Sequence, residues 1–139
     1  MSDERIASFE EFWPYYVGEH LDPWTRRLHF VGTTAALACF ATGIVTRRPG
    51  LVLGALVAGY GPAWASHFFV EKNRPATFKY PKWSLLADFK MWGLTVTGQM
   101  DAEVAKVEAA RAAAASATER STKIADDINT PPSASSVLN

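Results

Sequence analysis

An all-α membrane protein, a small bundle built on a two-helix transmembrane hairpin flanked by amphipathic or interfacial helices, is the fold class this sequence predicts. Three observations carry that reading. Two uncharged apolar runs, residues 30–46 and 51–70, follow one another and are broken only by His67 in the second. Arg47-Arg48-Pro49-Gly50 between them has the charge and the Pro-Gly pair of a turn. Tryptophan and tyrosine gather outside the runs, at Trp13, Tyr15, Tyr16 and Trp24 before them and Tyr80, Trp83 and Trp92 after. Such rings favour the headgroup level, which here is the open end of the hairpin.

The first element precedes the hairpin. Ser8-Phe9-Glu10-Glu11 has capping-box spacing, and Phe9, Phe12, Trp13, Tyr16 and Val17 then recur as a helical stripe that reaches His20 one turn later. Pro14 predicts a kink, or a helix that really begins near Trp13. This amphipathic helix lies against a membrane surface or a core and is not a span. Asp22-Pro23 closes it in a short connection.

A membrane-crossing helix needs about 20 mainly apolar residues, so the run 30–46 is marginal and the run 51–70 sufficient. Frequent glycine and alanine suit close helix–helix approach in lipid, and Gly61-Pro62 predicts a kink in the second helix. The alternative is a pair of buried helices in a soluble bundle. Arg26, Arg27, Lys72, Arg74, Lys79 and Lys82 at the open end outnumber Arg47 and Arg48 at the tip, which places both termini in the cytoplasm. Asn73-Arg74-Pro75 stops the second helix, and Ser84 caps a third apolar helix over Leu85–Thr97, too short to cross comfortably. Its place is a dip into the membrane or a packing across the open end. Residues 1–100 thus form the membrane-embedded domain. Residues 101–139 form an alanine-rich helix to about Ala117 and a polar tail whose Thr130–Ser136 stretch is expected to be disordered.

At 139 residues the chain has room for one domain, and its zero formal net charge offers nucleic acid no electrostatic footprint. The single cysteine, Cys39, excludes an internal disulfide, and no apolar stretch follows the charged start Met1–Arg5, so no secretory signal is expected.

The histidines carry the chemistry. With residues 47–50 as the tip of an antiparallel pair, His29 faces the neighbourhood of His67. Both stand roughly 27 Å from the tip at 1.5 Å per residue. His20 ends the stripe of the preceding helix, and the Pro23 connection folds it back. All three histidines of the chain therefore converge on one spot at the interfacial end. Glu71 shares a helix face with His67 at i, i+4, and Asp88 on the third apolar helix is placed to join. Imidazoles with a carboxylate and open positions suit non-haem Fe(II), though zinc and copper accept the same donors. Each site residue has a plainer reading as well. Glu71 suits a solvated helix end, Asp88 suits a first helical turn, and Arg26, Arg27 and Arg74 suit interfacial anchoring. In their functional reading those arginines, with Asn73 beside Arg74, hold the carboxylate of an amphipathic substrate.

Phe12-Trp13-Pro14-Tyr15-Tyr16, His20 and Arg26-Arg27-Leu28-His29-Phe30-Val31-Gly32-Thr33 resemble the first half of the 2-hydroxy fatty acid dioxygenase family. Gly59-Tyr60, Trp64, His67-Phe68-Phe69-Val70-Glu71-Lys72-Asn73-Arg74-Pro75-Ala76, Pro81, Ser84-Leu85 and Asp88 resemble its second half, so the likeness spans about residues 9–98. The resemblance implies an Fe(II)-dependent membrane dioxygenase that shortens a 2-hydroxy fatty acid by one carbon, losing the carboxyl as carbon dioxide. It assigns His20, His29 and His67 as the essential histidines. Thr25 departs from the asparagine of many relatives, which alters the hydrogen bonding available behind the ligands. Under this reading the three histidines hold the iron, with Glu71 as a candidate addition, and the acyl chain runs along the small-residue faces of the hairpin. Two other readings stand beside it. One is a non-catalytic membrane protein with structural histidines, and the other is haem bound between His29 and His67.

Overall fold

The computed structural model describes residues 5–129, which are helical wherever they are regular and contain no strand. Ser8 caps α1 (Phe9–Gly18) by accepting from the Glu11 N–H at 3.2 Å, while the Glu11 carboxylate accepts from the Ala7 N–H at 3.3 Å. The helix starts at Phe9 and runs through Pro14, so the expected late start does not occur. The N–H that proline lacks deprives only the carbonyl of Glu10, an exposed residue that water can serve.

Asp22 caps α2 (Pro23–Val45), accepting from the Trp24 N–H at 2.7 Å, and Pro23 opens the helix with its φ already set. Seven residues are thereby added before the apolar run. As a result α2 is long and apolar enough to cross a membrane, and it is the one such helix among the described residues. Of the expected pair of spans at 30–46 and 51–70, the first is met by α2, and the second is not matched by a single helix long and apolar enough. The second run is divided at Ser66 into α3 (Pro49–Ser66) and a π-helical turn (His67–Glu71). The second half of α3 also carries Tyr60, Gly61, Pro62 and Trp64, which dilute its apolar character.

Thr46, Arg47 and Arg48 link α2 to α3, with Arg47 at φ 54° and the Arg48 N–H donating to the Gly43 carbonyl at 2.8 Å. The two helices then pack antiparallel through small residues. A Cβ on Gly32 would lie 3.0 Å from the Gly59 carbonyl oxygen, and one on Gly43 only 2.8 Å from Val52. Their outer faces are apolar and bare: Val45 of α2 is 82 % exposed and Val57 of α3 75 %.

A 3₁₀ turn (Ala76–Phe78) leads into α4 (Pro81–Val96), which begins at Pro81 and not at Ser84. Ser84 is therefore an interior helical residue with a buried, unpartnered hydroxyl instead of a cap, and Asp88 falls in the second turn. α4 meets α2 near the open end, where Asp88 bonds His29 and the Trp92 indole donates to the Thr34 hydroxyl at 2.9 Å.

The main cluster of buried hydrophobic side chains lies outside the hairpin, between α1, α4 and the first turns of α5 (Met100–Asn129). Phe12, Tyr16 and Val17 meet Tyr80, Met91 and Met100 there. Trp13, Tyr16 and Tyr80, expected at the headgroup level, are instead buried side chains of this core. The first compact unit ends at Val107, and α5 itself continues to Asn129, twelve residues past the expected Ala117. The stretch Thr130–Ser136 lies outside the described residues.

Candidate metal centre

His20, His29 and His67 come together from the α1–α2 connection, α2 and the π-helical turn. All three are buried, and one ligand nitrogen from each lies within 4.8 Å of the others. The rings stand edge to face, with centroids 4.5 Å apart for His20–His29, 4.6 Å for His20–His67 and 5.2 Å for His29–His67.

Each Nδ1 is occupied by an oxygen that points the ring. The Tyr16 carbonyl, one helical turn before His20, accepts from its Nδ1 at 2.6 Å. The Asp88 carboxylate accepts from His29 Nδ1 at 3.1 Å. The amide oxygen of Asn73 accepts from His67 Nδ1 at 2.7 Å. The Asn73 orientation is fixed because its NH₂ donates to the Glu19 carbonyl at 3.2 Å and to the Glu19 carboxylate at 2.8 Å. Three acceptors of this kind put the ring proton on Nδ1 and leave Nε2 as a bare lone pair. The Nε2 atoms of His20 and His29 are buried with no partner at all. Ligating histidines are oriented from behind in this way by carboxylates and carbonyls.

Local folding explains the placement. Lys72 adopts φ 56°, and its N–H and that of Asn73 both reach the His67 carbonyl, the latter at 3.0 Å. This left-handed reversal carries the Asn73 side chain back onto the His67 ring. Tyr16 serves two ligands: its ring stacks on His20 at 4.0 Å, and its hydroxyl donates to the carboxylate that holds His29. Burial first, and then the Asp88 charge, push the Tyr16 phenol well above its usual range, so it keeps its proton and donates. Burial also holds the His20 imidazole well below its ordinary 6.5, helped by the neighbouring His29 and His67 rings, so His20 is neutral and able to ligate.

The remaining sequence candidates are distributed around this centre. Glu71 stands outside the cluster and accepts from the Asp22 N–H at 2.9 Å, tying the π-helical turn to the α1–α2 connection. Asp88 lies behind His29, with its side chain 14 % exposed. Arg26 donates to the carbonyls of His20 at 3.0 Å and Leu21 at 2.6 Å, and pairs with Asp101 at 3.6 Å. Arg27 lies over the Trp24 ring at 5.0 Å, and Arg74 is exposed. Asn73 has both ends of its amide engaged, as described. Thr25 is fully buried one turn before His29, with its hydroxyl unpartnered. Tyr16 is a further site residue, marked in the sequence only by its i, i+4 spacing to His20.

The donor set fits a resident metal ion. Three imidazoles, each held at Nδ1 by an oxygen, bring a ligand nitrogen each to one point, and leaving two Nε2 atoms buried and unpaired costs about 1–3 kcal/mol each. Sharing an ion at about 2.1 Å per bond needs the rings to draw in slightly. Haem between His29 and His67 is disfavoured, because His20 is wedged against both rings where a porphyrin would have to pass.

From His29, the one ligand that lines it, a cavity of about 270 Å³ runs between α2 and α3 under α4. His29 and Asp88 line one end, Thr33, Ala36 and Ala63 its floor, and Phe40 the far end.

The family model described as 2-hydroxy-palmitic acid dioxygenase Mpo1-like matches residues 6–100. No curated protein and no solved structure matches the chain.

Proposed function

We propose, from the premise that this chain belongs to the Mpo1-like family, that it is a membrane-embedded iron(II) dioxygenase that removes one carbon from 2-hydroxy fatty acids. The observation that carries the proposal is the buried histidine triad, held at Nδ1 from outside, with ligand nitrogens within 4.8 Å of one another and the Nε2 atoms of His20 and His29 unpartnered. Histidines kept for structure alone would have those nitrogens paired.

The overall reaction balances as one dioxygen per 2-hydroxy acid, yielding the shortened acid, carbon dioxide and water. Iron held by His20, His29 and His67 would supply the redox and Lewis-acid chemistry that this requires. The chain does the rest. Asp88, Asn73 and the Tyr16 carbonyl keep each ring in its ligating tautomer. Tyr16 closes the back of the centre against water. Arg27 and Arg74 place positive charge at the open end, where the carboxylate of an arriving acid meets the protein. The cavity takes the acyl chain, since it starts at His29 and is walled by apolar side chains. Glu71 and Asp88 act from behind the centre in this reading: Oε1 of Glu71 accepts from the Asp22 N–H, and Oδ1 of Asp88 accepts from Tyr16 and His29.

Residence in a membrane belongs to the same proposal. α2 qualifies by length and composition, yet few of its residues are buried, unlike the core helix of a soluble bundle. α3 with the π-helical turn completes a hairpin whose bare faces lipid would cover. Both termini then lie on the cytoplasmic side.

The test is metal analysis and oxygen uptake on detergent-purified protein without a histidine tag. Iron near one per chain and uptake with 2-hydroxypalmitate, but not palmitate, are expected. His67→Ala should abolish both, and undiminished turnover in that variant overturns the site.

A further inference from the structure

The cavity that begins at the metal centre is a groove with an open side. Its floor is made of residues too small to fill the space between α2 and α3, chiefly Thr33, Ala36, Ala55 and Ala63. Its rim is made of large apolar side chains that stay bare. Leu37 is 37 % exposed, Phe40 50 % and Leu56 59 %. Leu85 and Phe89, beside Asp88, are 45 % and 44 % exposed as well, so the groove is open along its side as well as at the Phe40 and Leu56 end. From His29 to Phe40 is eleven residues along α2, about 16 Å at 1.5 Å per residue. A soluble protein would leave such a groove to water. On a face this apolar, hydrocarbon is the matching occupant.

Resting on the dioxygenase reading above, we propose that the substrate loads sideways from the bilayer, and that acyl length is read with a lower limit but no upper one. The carboxylate and 2-hydroxyl lie at the histidines while the chain lies along the Ala36–Ala55 floor. Each methylene that still falls within the groove exchanges lipid contacts for a fitted wall. Methylenes beyond Phe40 and Leu56 continue into lipid, where they neither gain nor lose. A closed tunnel would behave differently, since a chain too long for it would be rejected. Ala55 sits at the far end, 8 % exposed, so a larger side chain there has the groove as its free space and shortens it.

The experiment has two arms on the full chain in lipid nanodiscs. In the first, kcat/KM is measured for saturated 2-hydroxy acids of increasing length. A rise followed by a plateau is expected, with the break moved to shorter acids in Ala55→Phe. Ala55→Leu repeats the test with a smaller volume change, should the phenylalanine variant fail to fold. A profile that peaks and falls for long acids, or a break unmoved in a folded variant, overturns the inference. In the second arm, a fatty acid with a diazirine in its distal half is photolysed with the protein, and the labelled peptide is mapped. Label on Phe40 or Leu56 supports the groove, and label confined to α1, α5 or the loops refutes it. If no 2-hydroxy acid of any length is turned over, the dioxygenase reading fails by itself, while the labelling arm still decides where the chain binds.

Discussion

Tyr16 is the residue on which two of the three ligands depend, by separate atoms. Its carbonyl orients His20, and its hydroxyl holds the carboxylate that orients His29. Tyr16→Phe removes the second function and spares the first, because the backbone bond and the ring stacking survive. Metal affinity is expected to fall about 10–100-fold, the usual effect of losing an outer partner. A competitive chelator titration measures it, and an unchanged affinity would show that Asp88 needs no anchor. A second consequence concerns pH. The buried His20 ring has a lowered pKa in the folded chain, whereas unfolding restores about 6.5. Above that value neither state binds the proton and stability is indifferent to it. As pH falls through 6.5, the unfolded state gains a proton that the folded state resists, so metal-free protein loses up to about 1.4 kcal/mol per pH unit. Thermal unfolding of chelated protein at pH 7.5, 6.5 and 5.5 should show the decline beginning near 6.5. A midpoint that stays flat across that range contradicts the buried, neutral ring.

At the scale of elements, His29 and His67 belong to the two arms of one hairpin, so the separation of α2 and α3 sets the distance between ligands. Gly32 controls it on the turn after His29, since an added Cβ would already meet the Gly59 and Ala58 carbonyls at 3.0 and 3.2 Å. Backbone cannot step aside as a side chain can. Gly32→Leu should therefore pry the arms apart, abolishing metal binding while circular dichroism keeps its helical signal; full metal occupancy in that variant would mean the arms do not position the site. Much of this geometry was legible from the sequence. A Pro-Gly turn between two apolar runs fixes the pairing, and the pairing brings His29 to His67. The exact elements were less legible, for physical reasons. The N-terminal extension of α2 depends on an Asp22 cap that polar Thr25, Arg26 and Arg27 disguise. The π-helical turn and the left-handed Lys72 leave no periodic trace, so the bond from His67 to Asn73 could not be read from spacing. Asp88 was expected in a first turn because Ser84 imitates a cap, while Pro81 had already started the helix.

At the scale of the whole chain, the question is how much of it the centre needs. Composition puts the end of the membrane domain at residue 100, where charge and alanine take over. Packing carries the first compact unit on to Val107. Met100 and Val104 are buried in the core around Tyr16, at 4 % and 7 % exposure, with Val107 next along the same helical stripe. The Glu103 carboxylate accepts from the Trp13 indole at 2.8 Å, and Lys106 supports it at 2.6 Å. The Lys106 bond first, and then the indole's, hold Glu103 below its ordinary pKa, so it stays charged. Asp101 pairs with Arg26, whose guanidinium holds the His20 carbonyl. The first two turns of α5 thus stand directly behind α1 and the first histidine. A chain ending after Val107 retains all of this and should bind metal and turn over 2-hydroxypalmitate within about twofold of the full chain. A chain ending at Gln99 uncovers Tyr16, strips Trp13 of its acceptor and forfeits two buried apolar side chains. Each of those is worth about 1.5–3 kcal/mol. Thermal unfolding and iron content of the two truncations, purified side by side, separate the alternatives. Equal metal occupancy in both would confine the functional unit to residues before Met100 and leave the start of α5 without a part in the site.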